Sequence, residues 1–345
     1  MELWTTFCPR KIVWELTFIQ TKGKAPSSNW VSNYAFIKES LQILKRYGID
    51  GIRLAVFPFE VTKDGQTYNW SFLEKILSDC EKLHMQVDLC LGPYQYPYYP
   101  GIRLPHALLS KINQSVSILD AISEVKSVGL SFLQKQLTRF GKDSRITGFY
   151  LGNEWPDYQC VEEKESCRVG ISKIFMKEAA QEIKKYTKKP ICLNTNIPAD
   201  HKQTIEETFS QLIQLLNQQC MLGLDIYPSR ETWKRTPYLK IPRLLVPYKK
   251  RLKQLQQHIS PAALFFAEVE AQPWGGGKAW YTMISNEQNP HTSVYFYTKD
   301  SLQKTFIGYI PNSIQKVSLW GADFWVSAYA MGIRWPLEVI KTVRP

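Results

Sequence analysis

The sequence predicts an α/β protein that folds as one (β/α)8 barrel, a TIM barrel with extended βα loops, and three observations lead to this prediction. Short apolar runs alternate with amphipathic segments along all 345 residues. Eight such runs occur, and eight strand–helix units fit the usual length of a barrel. The runner-up is a doubly wound sheet, but no glycine-rich phosphate turn follows the first predicted strand and no G-x-x-x-x-G-K-[ST] pattern occurs.

The predicted elements follow from apolar periodicity and from the residues that interrupt it. Strands are predicted for the short apolar runs at 12–19, 51–57, 85–91, 146–151, 190–194, 221–226, 263–267 and 316–319. Helices are predicted where apolar residues recur every three or four positions, at 33–47, 70–83, 115–140, 166–186, 204–219 and 242–259. A tyrosine-rich loop, 94–105, follows the third strand, and no linker or repeat divides the chain. We therefore predict a single domain, 1–345, in which 272–290 is a loop insertion after the seventh strand.

Composition narrows the classes of partner. The net charge of +12 raises the question of nucleic acid, but the basic residues are scattered or lie on predicted helices, which indicates a solvated basic surface. No apolar run approaches the roughly 20 residues of a membrane span. The seven cysteines are dispersed and form no CxxC pair. The expectation of free buried thiols and the lack of a visible signal peptide favour a cytoplasmic protein. Two alternatives stay open, namely a secreted protein whose signal has been removed and a disulfide bridge between Cys160 and Cys167.

Polar side chains gather where the predicted strands end, which is where barrels of this kind place their chemistry. The second strand carries Arg53, the fourth delivers Asn153 and Glu154, and the seventh delivers Glu268 and Glu270. The remaining strand ends supply amides, acids and aromatic rings, namely Asn194, Asn196, Asp225, Tyr227, Trp320, Asp323 and Trp325. Because an ionised carboxylate is costly to bury without partners, this concentration indicates a functional site.

Two carboxylates on different strands, surrounded by amides and aromatic rings, suit the hydrolysis of a glycoside. One carboxylic acid protonates the leaving oxygen, and a second carboxylate acts at the anomeric carbon. Tryptophan faces pack on sugar rings, and asparagine side chains form hydrogen bonds with hydroxyl groups. The five histidines lack paired metal-ligand spacing and no G-x-S-x-G turn occurs. We therefore expect a sugar-cleaving enzyme that uses neither a metal nor an organic cofactor.

The strand-end motifs also resemble a known group. Gly-Asn-Glu-Trp follows the fourth strand at 152–155, and Leu-Phe-Phe-Ala-Glu closes the seventh at 264–268. Similar segments occur on the second, sixth and eighth strands, at 51–54, 225–228 and 319–325, and in the turn 59–70. Taken in this order, the motifs resemble clan A of the retaining β-glycoside hydrolases, which includes many cellulases, β-mannanases and β-galactosidases. The resemblance covers nearly the whole chain.

The resemblance implies roles for individual residues. Glu154 would be the general acid/base, with a raised pKa in the free enzyme, and Glu268 would be the nucleophile, at about 5–5.5 Å from it. Asn153 would contact the sugar 2-hydroxyl, while Arg53 and Tyr227 would orient the nucleophile. Trp320 would form the floor of the sugar site at the cleaved bond. Further substrate contacts are expected from Trp155, Asn194, Trp274 and Trp325.

Several of these assignments leave alternatives open. Glu268 and Glu270 lie on the same face of the seventh strand. We favour Glu268 as the nucleophile because the apolar run ends there, which leaves Glu270 to line the rim or to form a structural ion pair. The tryptophans are platforms for sugar or anchors of loops. The competing function is a non-catalytic carbohydrate-binding barrel. The sugar, the choice between endo and exo cleavage and the oligomeric state are left undecided.

Overall fold

Eight parallel strands close into one barrel. The computed structural model describes residues 1–21, 33–92, 94–96, 99–102, 118–153, 173–196, 220–226, 256, 260, 263–271 and 314–342. The barrel strands follow one another in chain order, as β1 (Glu2–Phe7), β2 (Gly51–Leu54), β3 (Gln86–Leu91), β6 (Ile146–Leu151), β7 (Ile191–Asn196), β8 (Cys220–Ile226), β9 (Leu264–Glu270) and β10 (Lys316–Trp320). The predicted (β/α)8 class is confirmed.

Helices lie between and after these strands. They are α1 (Pro9–Gln20), α2 (Tyr34–Arg46), α3 (Pro58–Val61), α4 (Ser71–Lys82), α5 (Ile118–Phe140), α6 (Lys173–Tyr186), α7 (Ala322–Ala330) and α8 (Trp335–Thr342). Two short strands, β4 (Tyr94–Tyr96) and β5 (Tyr99–Ile102), form an antiparallel hairpin within the predicted tyrosine-rich loop. The predicted helix 204–219, nearly all of 242–259 and the predicted insertion 272–290 lie outside the described residues.

One predicted strand is wrong. The run 12–19 forms most of α1, and the first barrel strand is β1, closer to the start of the chain. Ile12, Val13 and Leu16 are buried on one helical face, and Pro9 occupies the first turn, where its missing N–H costs no hydrogen bond. A short apolar run does not by itself distinguish a buried helix from a buried strand, which explains the error.

The chain divides into two compact units, each of which combines separate stretches of sequence. The first comprises Met1–Ile52, Asp79–Met85 and Leu224–Pro345, and the second comprises Arg53–Ser78 and Gln86–Gly223. The boundaries fall inside β2, inside α4, directly before β3 and inside β8. The prediction of a single domain therefore stays a prediction.

In the first unit, β1 pairs with β10, which also pairs with β9. The strand β1 is tied to the start of β2 because Asp50 N donates to Leu3 O at 2.7 Å and Leu3 N donates to Asp50 Oδ2 at 2.9 Å. The indole of Trp4 packs directly on Gly51, where an added Cβ would lie 2.7 Å from ring carbons. Glycine is thus required at this close approach.

In the second unit, β3 pairs with β6, which also pairs with β7. The end of β3 is braced from α5 by the buried Gln136, which accepts a hydrogen bond from Gly92 N at 2.9 Å and donates to Cys90 O at 3.4 Å. Gly92 has a φ of +84°, so the turn that leads into the β4–β5 hairpin uses a backbone conformation that favours glycine.

Two further expectations concern cysteines and membranes. Cys8, Cys80, Cys90, Cys192 and Cys220 are buried free thiols, and burial raises the pKa of Cys80 and of Cys220 to about 12. Cys160 and Cys167 lie outside the described residues. Within the described part of the chain, none of the helices has both the length and the hydropathy needed to cross a membrane.

Candidate active site

A buried guanidinium organises the carboxyl ends of three strands in the second unit. Arg53, the third residue of β2, has no exposed surface. Its Nη2 atom donates to Asn153 Oδ1 at 2.7 Å, to Asn194 Oδ1 at 3.2 Å and to Gly152 O at 3.4 Å. Three of the predicted site residues, from β2, from the turn after β6 and from β7, are therefore brought together. We call Arg53, Asn153 and Asn194 the Arg53 cluster.

The hydrogen bonds of the Arg53 cluster set the orientation of both amides. Asn153 Oδ1 accepts from the guanidinium and also from Asn194 Nδ2 at 3.1 Å. An amide oxygen held by two donors cannot exchange places with the amide nitrogen without losing both bonds. The Nδ2 group of Asn153 is consequently the end of this side chain that can donate to a group outside the Arg53 cluster. Asn194, by contrast, uses both ends of its amide inside the cluster.

Tyr150 lies beneath the guanidinium and was not identified from the sequence as a site residue. The guanidinium carbon of Arg53 is 4.1 Å from the centroid of the Tyr150 ring, within the range of a cation–π contact. Burial, with a smaller contribution from Cys192, raises the pKa of the Tyr150 phenol well above its usual range, so the ring is neutral. A tyrosine inside an otherwise apolar strand was the available signal, because its hydroxyl adds a polar group to the core.

Asp88 is a second buried polar residue that the sequence did not single out. It lies opposite Gly148 in the β3–β6 register and accepts a hydrogen bond from Thr147 Oγ1 at 2.8 Å. A Cβ at Gly148 would lie 2.9 Å from Asp88 Oδ1, so this carboxylate needs a glycine beside it. The β6 strand therefore accommodates the Asp88 side chain near its start and the Arg53 guanidinium near its end.

The first unit carries three further predicted site residues that the structure describes with their side chains, Glu268, Trp320 and Trp325. Glu268 lies within β9 and its side chain has no exposed surface. Trp320, the last residue of β10, retains 8% of its surface. The ring of Trp325 is fully buried, and its Nε1 donates to Ala271 O at 2.7 Å. Trp325 therefore supports the end of β9, and its predicted role in binding sugar stays a prediction.

The rest of the predicted site lies partly outside the described residues. Glu154, Trp155, Tyr227 and Trp274 are beyond them, and of Glu270 only the backbone position at the end of β9 is described. The pairing of two glutamates is therefore still a prediction. Within the described ranges, no three His, Cys, Asp or Glu side chains are grouped in a way that could hold a metal ion. Cofactor-free chemistry remains an expectation.

Comparison with known proteins adds to this picture at the level of the fold. No family model and no curated protein matches the chain. A β-galactosidase from the psychrophilic Marinomonas ef1 matches with a TM-score of 0.57 and 10% identity over 99% of this chain and 62% of that one. The GH5_18 protein from Streptomyces cattleya, solved in complex with GlcNAc, matches with a TM-score of 0.56 and 11% identity, over 92% and 70%. A family 1 β-glucosidase from Thermotoga maritima matches with a TM-score of 0.52 and 13% identity, over 92% and 87%.

These likenesses agree with the resemblance that the sequence motifs indicated. The names of two matched structures identify a β-galactosidase and a β-glucosidase, and identities of 10–13% carry the likeness no further than the fold. The chain spans about three fifths, 62%, of the β-galactosidase. Catalytic roles for individual residues must therefore be argued from this chain itself.

Proposed function

We propose that this chain is a retaining β-glycoside hydrolase that acts through a covalent glycosyl-enzyme intermediate and needs no metal or organic cofactor. The Arg53 cluster carries the proposal, because it fixes Asn153 immediately before Glu154 in the chain. The Asn153 amide oxygen accepts from the guanidinium at 2.7 Å and from Asn194 at 3.1 Å. Glu154 follows Asn153 directly in the sequence, and general acid/base catalysis needs its acid beside the groups that hold the substrate.

The orientation of the Asn153 amide suits a sugar. Its Nδ2 group is a donor, and a sugar hydroxyl oxygen is an acceptor that it can contact. Asn153 is at the edge of burial, with 9% of its surface exposed, so a ligand can reach it. In this mechanism Asn153 binds the 2-hydroxyl, and Asn194 and Arg53 hold it in place. This contact strengthens as charge develops on the sugar ring in the transition state.

The two glutamates divide the chemistry. Glu154 gives its proton to the leaving glycosidic oxygen while a carboxylate of β9 attacks the anomeric carbon and forms an ester. Water then attacks the same carbon, gives its proton to Glu154, and releases the β9 carboxylate. The apolar pattern favours Glu268 as the attacking group, and Glu270 is the alternative. Two displacements at one carbon retain the β configuration.

The fold likeness supports the reaction class and suggests where to look for the sugar. The neighbours include a β-galactosidase and a β-glucosidase, and a variant of the S. cattleya GH5_18 protein was solved in complex with Manβ1-4GlcNAc. Gluco, galacto and manno sugars and N-acetylglucosamine are therefore the first candidates. The buried free thiols fit a reducing compartment, and we place the enzyme in the cytoplasm on that basis.

The test is a panel of nitrophenyl β-glycosides that differ by one sugar hydroxyl or by the N-acetyl group, followed by proton NMR of the first-formed sugar. We expect turnover on at least one member with retention of the β anomer. Glu154→Gln should reduce turnover of substrates with poor leaving groups by at least about 10²-fold. Azide should then restore activity to this variant and yield a β-glycosyl azide, because azide needs no general base.

Glu81→Gln is the matched control. Glu81 is an exposed residue of α4, so this substitution makes the same chemical change, carboxyl to amide, at the protein surface. Its turnover should equal that of the unmodified chain. Sugar binding without turnover anywhere in the panel would support the non-catalytic carbohydrate-binding alternative and refute the enzyme. Inversion of the anomer would refute the double displacement.

A further inference from the structure

The end of β9 lies farther along the chain than the apolar pattern predicts. The apolar run stops at Ala267, and that boundary was the reason to favour Glu268 as the nucleophile. In the structure the strand extends from Leu264 to Glu270. The preference for Glu268 thus loses its premise, because Glu268 is an interior residue of the strand and Glu270 is its last residue.

The pairing of β9 with β10 determines where β9 ends. Trp320 pairs with Glu270, and Leu319 pairs with Val269. The register shifts by one residue between these pairs and the earlier pair of Val317 with Phe266, so the end of the ladder has its own alignment. Ala271 N donates to Trp320 O at 2.9 Å, which continues the ladder one residue past Glu270. Glu270 is therefore level with the tryptophan that is predicted to form the floor of the sugar site.

The other glutamate lies earlier in the strand. Glu268 precedes Glu270 by two residues and falls in the stretch between Phe266 and Val269 where the register with β10 shifts by one residue. Its side chain has no exposed surface, whereas Trp320 retains 8%. The resemblance implies that the sugar ring lies on Trp320, and a nucleophile must touch the anomeric carbon of that ring. The acid whose backbone is level with Trp320 is therefore better placed to react than the acid that precedes it by two residues.

We infer that Glu270 is the nucleophile of the proposed reaction, and that Glu268 is a buried positioning residue that precedes it in the strand. This inference rests on the proposed function. A Glu270 carboxylate oxygen forms the bond to the anomeric carbon, the glycosidic C–O bond breaks, and the leaving oxygen takes the proton of Glu154. In the second step a water oxygen bonds to the same carbon, its proton returns to Glu154, and the ester to Glu270 breaks.

The test is to trap the intermediate in the unmodified protein. The probe is the 2,4-dinitrophenyl 2-deoxy-2-fluoro-β-glycoside of whichever sugar the nitrophenyl panel identifies. The fluorine slows both the formation and the hydrolysis of the glycosyl-enzyme ester. The dinitrophenolate leaving group makes formation fast again, so the ester accumulates. Intact-mass measurement should show one added fluorosugar, and fragment ions that separate residues 268 and 270 should place it on Glu270. A fluorosugar on Glu268 would overturn the inference and leave the proposed function standing.

Variants supply an independent readout. Glu270→Ala should lose at least about 10³-fold in turnover, and azide should restore formation of an α-glycosyl azide, because the small anion occupies the place of the missing carboxylate. Glu268→Gln should lose less, gain nothing from azide, and still take the fluorosugar on Glu270. Azide rescue of Glu268→Ala with Glu270→Ala unresponsive would contradict the assignment. Absence of both turnover and labelling would instead refute the proposed function itself.

Discussion

Replacing Asn153 by alanine removes the acceptor at the centre of the Arg53 cluster. The Asn153 amide oxygen binds Arg53 Nη2 at 2.7 Å and Asn194 Nδ2 at 3.1 Å. After the substitution, Arg53 still donates to Asn194 Oδ1 and to Gly152 O, at 3.2 and 3.4 Å. The guanidinium therefore keeps partners, and the loss is limited to two hydrogen bonds and the alignment of Asn194.

The magnitude follows from the kinds of bond that are lost. A hydrogen bond to a charged donor contributes about 1.5–3 kcal/mol and one between neutral groups about 0.5–1.5 kcal/mol. Asn153→Ala should therefore lower the free energy of unfolding by about 2–4 kcal/mol. The double variant with Asn194→Ala should lose less than the sum of the two single losses, by about 0.5–1.5 kcal/mol, because their shared bond is counted in each.

Urea unfolding followed by tryptophan fluorescence and circular dichroism measures these losses. Asn69→Ala is the matched control, because Asn69 Oδ1 accepts a single hydrogen bond, from Ser71 N at 3.0 Å, at the protein surface. It should cost less than about 1.5 kcal/mol. If Asn153→Ala costs no more than this control, or if the double variant is strictly additive, the cluster is not the rigid arrangement on which the proposed mechanism depends.

Three further predictions concern buried positions away from the Arg53 cluster. Burial raises the pKa of Glu15 above 4.5 in the folded state, so the contribution of Glu15 to stability is lost as the pH rises from 4.5 through the raised pKa. Glu15→Gln should therefore stabilise the protein more at pH 8 than at pH 4. Equal shifts of the urea midpoint at the two pH values would contradict this. Gly51→Ala should lower the thermal midpoint by several degrees, because the added Cβ would lie 2.7 Å from the Trp4 ring. An unchanged midpoint would show that β1 and β2 can move apart to admit the methyl group without a loss of stability. Gln136→Met should cost about 1–3 kcal/mol and accelerate amide exchange at Gly92, which mass spectrometry measures; unchanged exchange would refute the brace.

Much of the fold was predictable because it depends on patterns that run along the chain. The strand 146–151 was predicted with the boundaries of β6, and the residue types at the strand ends identified Arg53, Asn153 and Asn194 as candidates. The helix α1 was mistaken for a strand because a short apolar run has the same composition in either structure. Whether such a run becomes a helix or a strand depends on the elements that pack against it.

The candidate site shows the same division. A carboxylate after an apolar run suggested that the seventh strand ends before Glu268, whereas pairing with β10 extends it to Glu270. A neighbouring strand forms hydrogen bonds with the backbone N–H and C=O groups of a residue whether its side chain is polar or apolar, so a polar residue can belong to a strand. The hydropathy pattern of the sequence does not show which backbone groups are paired in this way. Tyr150 was overlooked for a related reason, since its contact with Arg53 joins residues on different strands.

Local periodicity and composition alone determined that this chain would form a (β/α)8 barrel and that acids, amides and tryptophans would follow its strands. Only the tertiary structure decided the orientation of the Asn153 amide, the burial of Glu268 and the support that Trp325 gives to Ala271. The physical reason is that these features depend on register and hydrogen bonds between residues far apart in the chain, such as Arg53 and Asn153 at a separation of 100. Such partners are chosen when strands pack side by side, and neither sequence segment encodes the choice by itself.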